Sequence, residues 1–189
     1  LLEQGKKVYV YNFSDNNFPG MTPKEKGYWR DVGCIDAYWQ ANMDLLGDKP
    51  NFNIHDKKWR IFSRNYAEPP HYIGENGSVS NSIVTEGCDI EGTVENCVLS
   101  NGVIIEKGAT VKNSVIMSRT VIKAGATVNY SIVDSNSIIS ENAVIGADKE
   151  KAQGITVIGS DLCVEKGVTI PSGAMINNDS TDGVSAIEE

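Results

Sequence analysis

An aspartate, Asp31, stands between an aromatic pair and a glycine in residues 27–46, GYWRDVGCIDAYWQANMDLL. A carboxylate held by rigid backbone beside a cleft is a hard oxygen ligand. Mg2+ is commonly held by one or two such carboxylates together with phosphate oxygens. The same position, just ahead of a helix, also suits a capping carboxylate, and residue type alone leaves both readings open. Few other groups could do chemistry. The two histidines, His55 and His71, both precede residue 73 and read as linker or surface residues. Cys34, Cys88, Cys97 and Cys163 are spaced 54, 9 and 66 apart with no C-x-x-C pair. That spacing outlines neither a zinc site nor a redox motif, and the thiols read as buried and free in a reducing cytosol.

The element that positions Asp31 is a helix. Ile35, Tyr38, Trp39, Asn42, Met43 and Leu46 recur at helical spacing and predict an amphipathic helix over about 34–46. Asp36 sits in its first turn, where the dipole favours an anion; Gly47 stops it and Pro50 follows. Upstream, the alternation KVYVY predicts a strand over 7–11, and the turn-rich residues 14–27 predict a loop. Residues 48–72 have no clear period. Trp59, Ile61 and Phe62 are expected to cover an open end or flank of the domain downstream, and Pro69-Pro70 to make a stiff entry into it.

That downstream domain is a repeat. Ile105, Val111, Ile116, Ile122, Val128, Val133, Ile139 and Ile145 are separated by 6, 5, 6, 6, 5, 6 and 6 residues. Neither a helix nor a single strand has that period, but a chain turning a corner every five or six residues does. Segments 103–119 and 120–136 superpose without a gap. Three faces close a triangular coil of about 17 residues, the pattern of a parallel β-helix. The anchors extend back through Leu99, Val94, Ile90, Val84 and Val79 to Ile73, with one short step of four at Ile90–Val94. They resume after a polar excursion or shifted coil at 147–157 with Ile158, Val164, Ile170 and Ile176, giving about five coils. Gly108, Gly125 and Gly167 mark a corner that favours positive φ. Cys88 falls near the Ile105 column and Cys97 in the small-residue column of Ser114 and Ser131. Glu106, Lys107, Glu165 and Lys166 read as solvated corners, and residues 179–189 as a loose acidic tail.

The net charge of −8 and pI near 4.8 argue against nucleic acid and anionic membrane as partners, both of which need clustered Lys and Arg. No apolar run approaches the ~20 residues of a membrane span, and nothing resembles a signal peptide. The chain begins LLEQGKKVYVY and reads as a fragment of a longer, cytoplasmic protein.

YWRDVG followed by DAYWQANMDLL, a WRIFS…PP linker and hexapeptide repeats together resemble the glucose-1-phosphate adenylyltransferase (ADP-glucose pyrophosphorylase) family over nearly the whole chain. The resemblance implies a mainly β chain: a left-handed parallel β-helix of hexapeptide repeats at 73–178. Before it stand the last strand and helix of an α/β nucleotidyltransferase catalytic domain at 1–48 and a linker at 49–72, and a tail at 179–189 ends the chain. It implies that the whole enzyme makes ADP-glucose and pyrophosphate from ATP and glucose 1-phosphate for glycogen synthesis. Asp31 would be one of two aspartates holding a catalytic Mg2+. In the family the residue after the motif's glycine is usually Thr; here it is Cys34. The family's glycine-rich nucleotide loop, first metal aspartate and sugar-phosphate lysine lie upstream of these residues, so the fragment alone is expected to be inactive. A homo- or hetero-tetramer and anionic allosteric effectors are also implied, and Arg64 of the linker is the candidate effector ligand. The alternatives are the non-catalytic regulatory subunit of the same enzyme, or another sugar-phosphate nucleotidyltransferase, possibly with an acyltransferase β-helix. Intact YWRDVG weighs against the former; the helix sequence and the lack of a coil histidine weigh against the latter.

Overall fold

The computed structural model describes residues 3–62, 66–177 and 182–187. Arg64 lies outside the described residues. Parallel two- and three-residue strands from Tyr72 to Ile176 stack into three sheets, one for each face of a triangular coil. The register is the one the aliphatic spacing predicts. On the first face Ile73, Ile90, Ile105, Ile122, Ile139 and Val164 stack in one column. On the second the column is Val79, Val94, Val111, Val128, Ile145 and Ile170. On the third it is Val84, Leu99, Ile116, Val133, Ile158 and Ile176. Each face supplies one inward aliphatic residue per coil, and most of these are fully buried. Burying each such side chain contributes roughly 1.5–3 kcal/mol, and backbone amides pair with the coils above and below.

The columns make six coils, not about five, because the loosely spaced segment from Ile73 is a full coil. The short step at Ile90–Val94 belongs to a coil of 15 residues between Ile90 and Ile105. That shortening also moves Cys88. With Ile90 opposite Ile105, Cys88 lies over Val103 and not in the Ile105 column, whereas Cys97 joins Ser114 and Ser131 as expected. All four thiols are free, but only Cys88 and Cys97 are buried; Cys163 is half-buried and Cys34 is exposed, and burial pushes the Cys97 thiol up to about 12.

The polar excursion is shorter than expected. It occupies 147–154, and Thr156–Ile158 rejoins the third face opposite Ser131–Val133. It leaves the coil at Gly146, where φ is +72° and a Cβ would come 2.2 Å from the Asn129 carbonyl oxygen; only glycine fits there. The acidic tail is not wholly loose either. Val184–Ala186 returns antiparallel to Leu162–Val164 and covers that edge, which would otherwise present unpaired N–H and C=O groups.

At the N-terminal end the expected strand over 7–11 is absent. Val8, Tyr9, Val10 and Tyr11 are exposed, and no neighbouring strand among the described residues offers a ladder. Alternation supplies a face but not the partner that a strand requires. Trp59, Ile61 and Phe62 are also exposed, so they do not cover the coil's flank. A helix does that instead.

Ile122 is fully buried, while Lys123 beside it points out and pairs with Glu106 at 2.8 Å. Ile122→Asp would bury an unpaired carboxylate at a cost of several kcal/mol. It should lower the melting temperature by at least about 8 °C or abolish soluble expression. Lys123→Gln loses one half-exposed ion pair, worth below about 1 kcal/mol. Matching melting curves for the two variants would mean that the register is wrong.

Candidate functional site

Helix α1 spans Ile35–Met43, with Cys34 as N-cap, Asp44 as C-cap and Asp36 in its first turn. It is one turn shorter than the apolar spacing predicts. After Met43 the chain turns toward Gly47, whose φ is +91°. The apolar stripe lies against the outside of the third face. Trp39, only 4% exposed, joins Val115, Ile132 and Ile155 in a second core, with Ile35, Tyr38 and Met43 from α1 packed around them. The strands Val115–Ile116 and Ser131–Val133 explain this. Val115 faces out where Ile116 faces in, and Ile132 faces out where Val133 faces in.

Three contacts make the docking specific. The Trp39 indole Nε1–H donates to the Asn113 carbonyl at 2.8 Å. Its ring meets Tyr130 edge-on at 5.0 Å and 83°. Lys149, on the excursion loop, places its ammonium 4.6 Å from the Trp39 ring centre, a cation–π distance. Tyr130 occupies an unusual corner. In the preceding coils this corner is held by Asn81, Asn96 and Asn113, all at positive φ. Their amides form a chain, with Asn81 donating to Asn96 and Asn96 to Asn113, each at 2.8 Å. Asparagine tolerates that conformation far better than tyrosine. Tyr130 nevertheless adopts it at φ 45°, and its ring covers Trp39.

The segment ahead of α1 is fastened at the opposite end of the helix. Asp44 is 4% exposed and is a hub. Its carboxylate accepts hydrogen bonds from Asn51 Nδ2 at 2.8 Å, Tyr28 Oη at 3.0 Å and Gln40 Nε2 at 3.2 Å, and forms an ion pair with Arg30. A carboxylate at a helix C-terminus opposes the helix dipole, and these donors offset that. Burial acts to raise its pKa, but the hydrogen bonds from Asn51, Gln40, Arg30 and Tyr28 outweigh burial and hold it below the ordinary carboxylate value. Glu25 is a second buried carboxylate. It accepts the Thr22 and Asn53 amides, each at 2.8 Å. Burial acts to raise it too, and those amides hold it low.

Asp31 itself is exposed, and its Oδ1 accepts the Gly33 amide at 3.1 Å. That amide precedes the helix, so Asp31 caps a turn and leaves the helix N-cap to Cys34, which makes no side-chain cap bond. Among the described residues no group of three or more His, Cys, Asp or Glu is placed to hold a metal. One exposed carboxylate suits Mg2+, which keeps waters and phosphate oxygens in its shell, as a single ligand. His55 and His71 are exposed and off the coils, as expected. Glu106 differs from expectation. It pairs with Lys123 and accepts the Ala124 amide at 3.0 Å, and Lys123 first, then that amide, hold its pKa low against burial. Sequence reasoning missed Asp44, although an aspartate at a helix C-terminus is itself a signal that something holds it.

A closed three-faced coil with one aliphatic residue per face defines a hexapeptide-repeat β-helix protein. Residues 70–164, half of the chain, match the family model described as GlmU-like, C-terminal hexapeptide, and the chain belongs to that family. It is 46% identical over 109 residues to a glucose-1-phosphate adenylyltransferase of Acetivibrio thermocellus, a match covering 58% of this chain and 23% of that protein. Proteins of the same name from Bacillus mycoides and Bacillus anthracis are 45% identical over 109 residues, covering 58% of this chain and 26% of each of theirs. The match thus spans about a quarter of these relatives' length. No helix among the described residues is long and apolar enough to cross a membrane.

Asp44 and Glu25 give the N-terminal segment an acid-labile hold. Both have folded pKa values below their unfolded ones, so their contribution is complete above about pH 5 and is lost as pH falls through the folded values. The urea midpoint followed by tryptophan fluorescence should therefore be flat from pH 7 to about 5 and fall below about 4. Asp44→Asn should cost about 1–3 kcal/mol at pH 7 and flatten that fall. An unchanged acid limb in Asp44→Asn would show that the hub does not titrate with folding.

Proposed function

We propose that this chain is the C-terminal, β-helix-bearing part of a glucose-1-phosphate adenylyltransferase. The observation that carries the reading is the 45–46% identity over 109 residues to proteins so named, joined to a β-helix on which the YWRDVG-bearing segment is docked. In the whole enzyme ATP and glucose 1-phosphate would be the substrates, and ADP-glucose and pyrophosphate the products. The sugar phosphate would attack the α-phosphorus of ATP in line. Bound Mg2+ would supply charge neutralisation at the phosphates. This chain's contribution is the exposed carboxylate of Asp31 as one oxygen ligand, held ahead of a helix that is packed on the coil. The positions of His55 and His71, exposed and outside the coils, weigh against a histidine-dependent acyl transfer on the β-helix. A tetramer and regulation by anionic effectors belong to the same proposal. Arg64 is the candidate effector ligand, and loss of effector response in Arg64→Ala is its test.

The direct test of the catalytic assignment is Asp31→Asn in the complete enzyme. Turnover should fall by at least about a hundredfold, as loss of a metal-clamping carboxylate requires, with the melting curve unchanged. Wild-type turnover at saturating Mg2+ would reduce Asp31 to the turn cap that its bond to Gly33 makes it.

A further inference from the structure

We infer that the buried Asp44 hub is the positioning device that aims Asp31. The inference rests on the reading of Asp31 as a Mg2+ ligand. Tyr28 and Arg30 both direct their polar ends to Asp44, Tyr28 by a 3.0 Å hydrogen bond and Arg30 by an ion pair. The residues between and after them are left outward: Trp29 is 71% exposed, and Asp31 is exposed. Pinning Tyr28 and Arg30, on either side of Trp29 and immediately ahead of Asp31, to one anchor restricts the backbone that carries Asp31. The anchor is firmly held. Asp44 also takes hydrogen bonds from Gln40 within α1 and from Asn51 beyond it, and its backbone carbonyl accepts the Asn51 amide at 2.8 Å. Gly33 and its bond to Asp31 then set the carboxylate's angle. Arg30, adjacent to the ligand, is thereby kept off it. Its guanidinium is paired with Asp44, which offsets its positive charge. Partners that orient a metal ligand are worth 10–100-fold in metal affinity.

The test is Mn2+ binding to the complete enzyme, followed by electron paramagnetic resonance, for wild type, Asp31→Asn, Asp44→Asn, Arg30→Gln and Val133→Ala. The last lowers stability from the coil core without touching the hub. Asp44→Asn and Arg30→Gln should each weaken Mn2+ binding by at least about tenfold, Val133→Ala should leave it unchanged, and Asp31→Asn should weaken it at least as far as either hub variant. If Asp44→Asn does not fold, Arg30→Gln carries the comparison. Weakened binding in Asp31→Asn with wild-type affinity in the hub variants would overturn the positioning role alone. Wild-type affinity in Asp31→Asn would overturn the metal reading and this inference with it. Equal weakening in Val133→Ala would reduce the hub to a contributor to stability.

Discussion

Every coil must turn three corners in about 17 residues and still return each inward side chain to its column. That requirement governs the rest of the structure. Backbone hydrogen bonds run between coils, so a coil that drifted by one residue would turn its aliphatic residue outward and its polar neighbour inward. The corners are met by residues at positive φ. Gly108, Gly125 and Gly167 hold one series, and Asn81, Asn96 and Asn113 hold another. The 15-residue coil from Ile90 to Ile105 and the excursion at 147–154 show where length is allowed to vary. One shortens a coil and the other leaves through Gly146, and the three columns persist through both.

The regularity of the coil explains how α1 docks. On the third face Val115 and Ile132 present apolar side chains outward, while Ile116 and Val133 present theirs inward. A second apolar surface needs a cover, and Trp39 supplies it. Tyr130 accepts a corner conformation that asparagine adopts more readily, and packs edge-on against Trp39 from there. The excursion loop adds Lys149 above the same ring. The solenoid and the helix that follows Asp31 are therefore joined at one apolar seam centred on Trp39, with Ile35, Tyr38 and Met43 around it, and Asp44 fastens the far end of the helix to Tyr28 and Arg30.

The columns of the coil are legible in the sequence because spacing of five and six is a direct imprint of three faces. Ile122 can be placed in the core from its neighbours at 105 and 139 alone. The docking of α1 is half legible. Its apolar stripe declares a partner but not which one; the signal lies in doublets such as Val115-Ile116 and Ile132-Val133, apolar on both sides of a strand. KVYVY alternates like a strand, but no strand among the described residues pairs with it. Trp59, Ile61 and Phe62 read as a cover because they are large and apolar, yet they are exposed. The motif points to Asp31 but not to Asp44, the buried hub that holds its segment. A buried charge leaves its trace in three-dimensional donors, which come here from positions 28, 30, 40 and 51.

Helix α1 and the coil are one folded unit joined at Trp39. Native-state hydrogen exchange measures this directly, because amides that open together share one opening free energy. The backbone amides of Trp39 through Met43 should open with the free energy of third-face amides such as Met117, whose N–H donates to the Val133 carbonyl. Helix amides that exchange orders of magnitude faster, with the coil's protection intact, would show that the helix rests on the coil without being part of its fold.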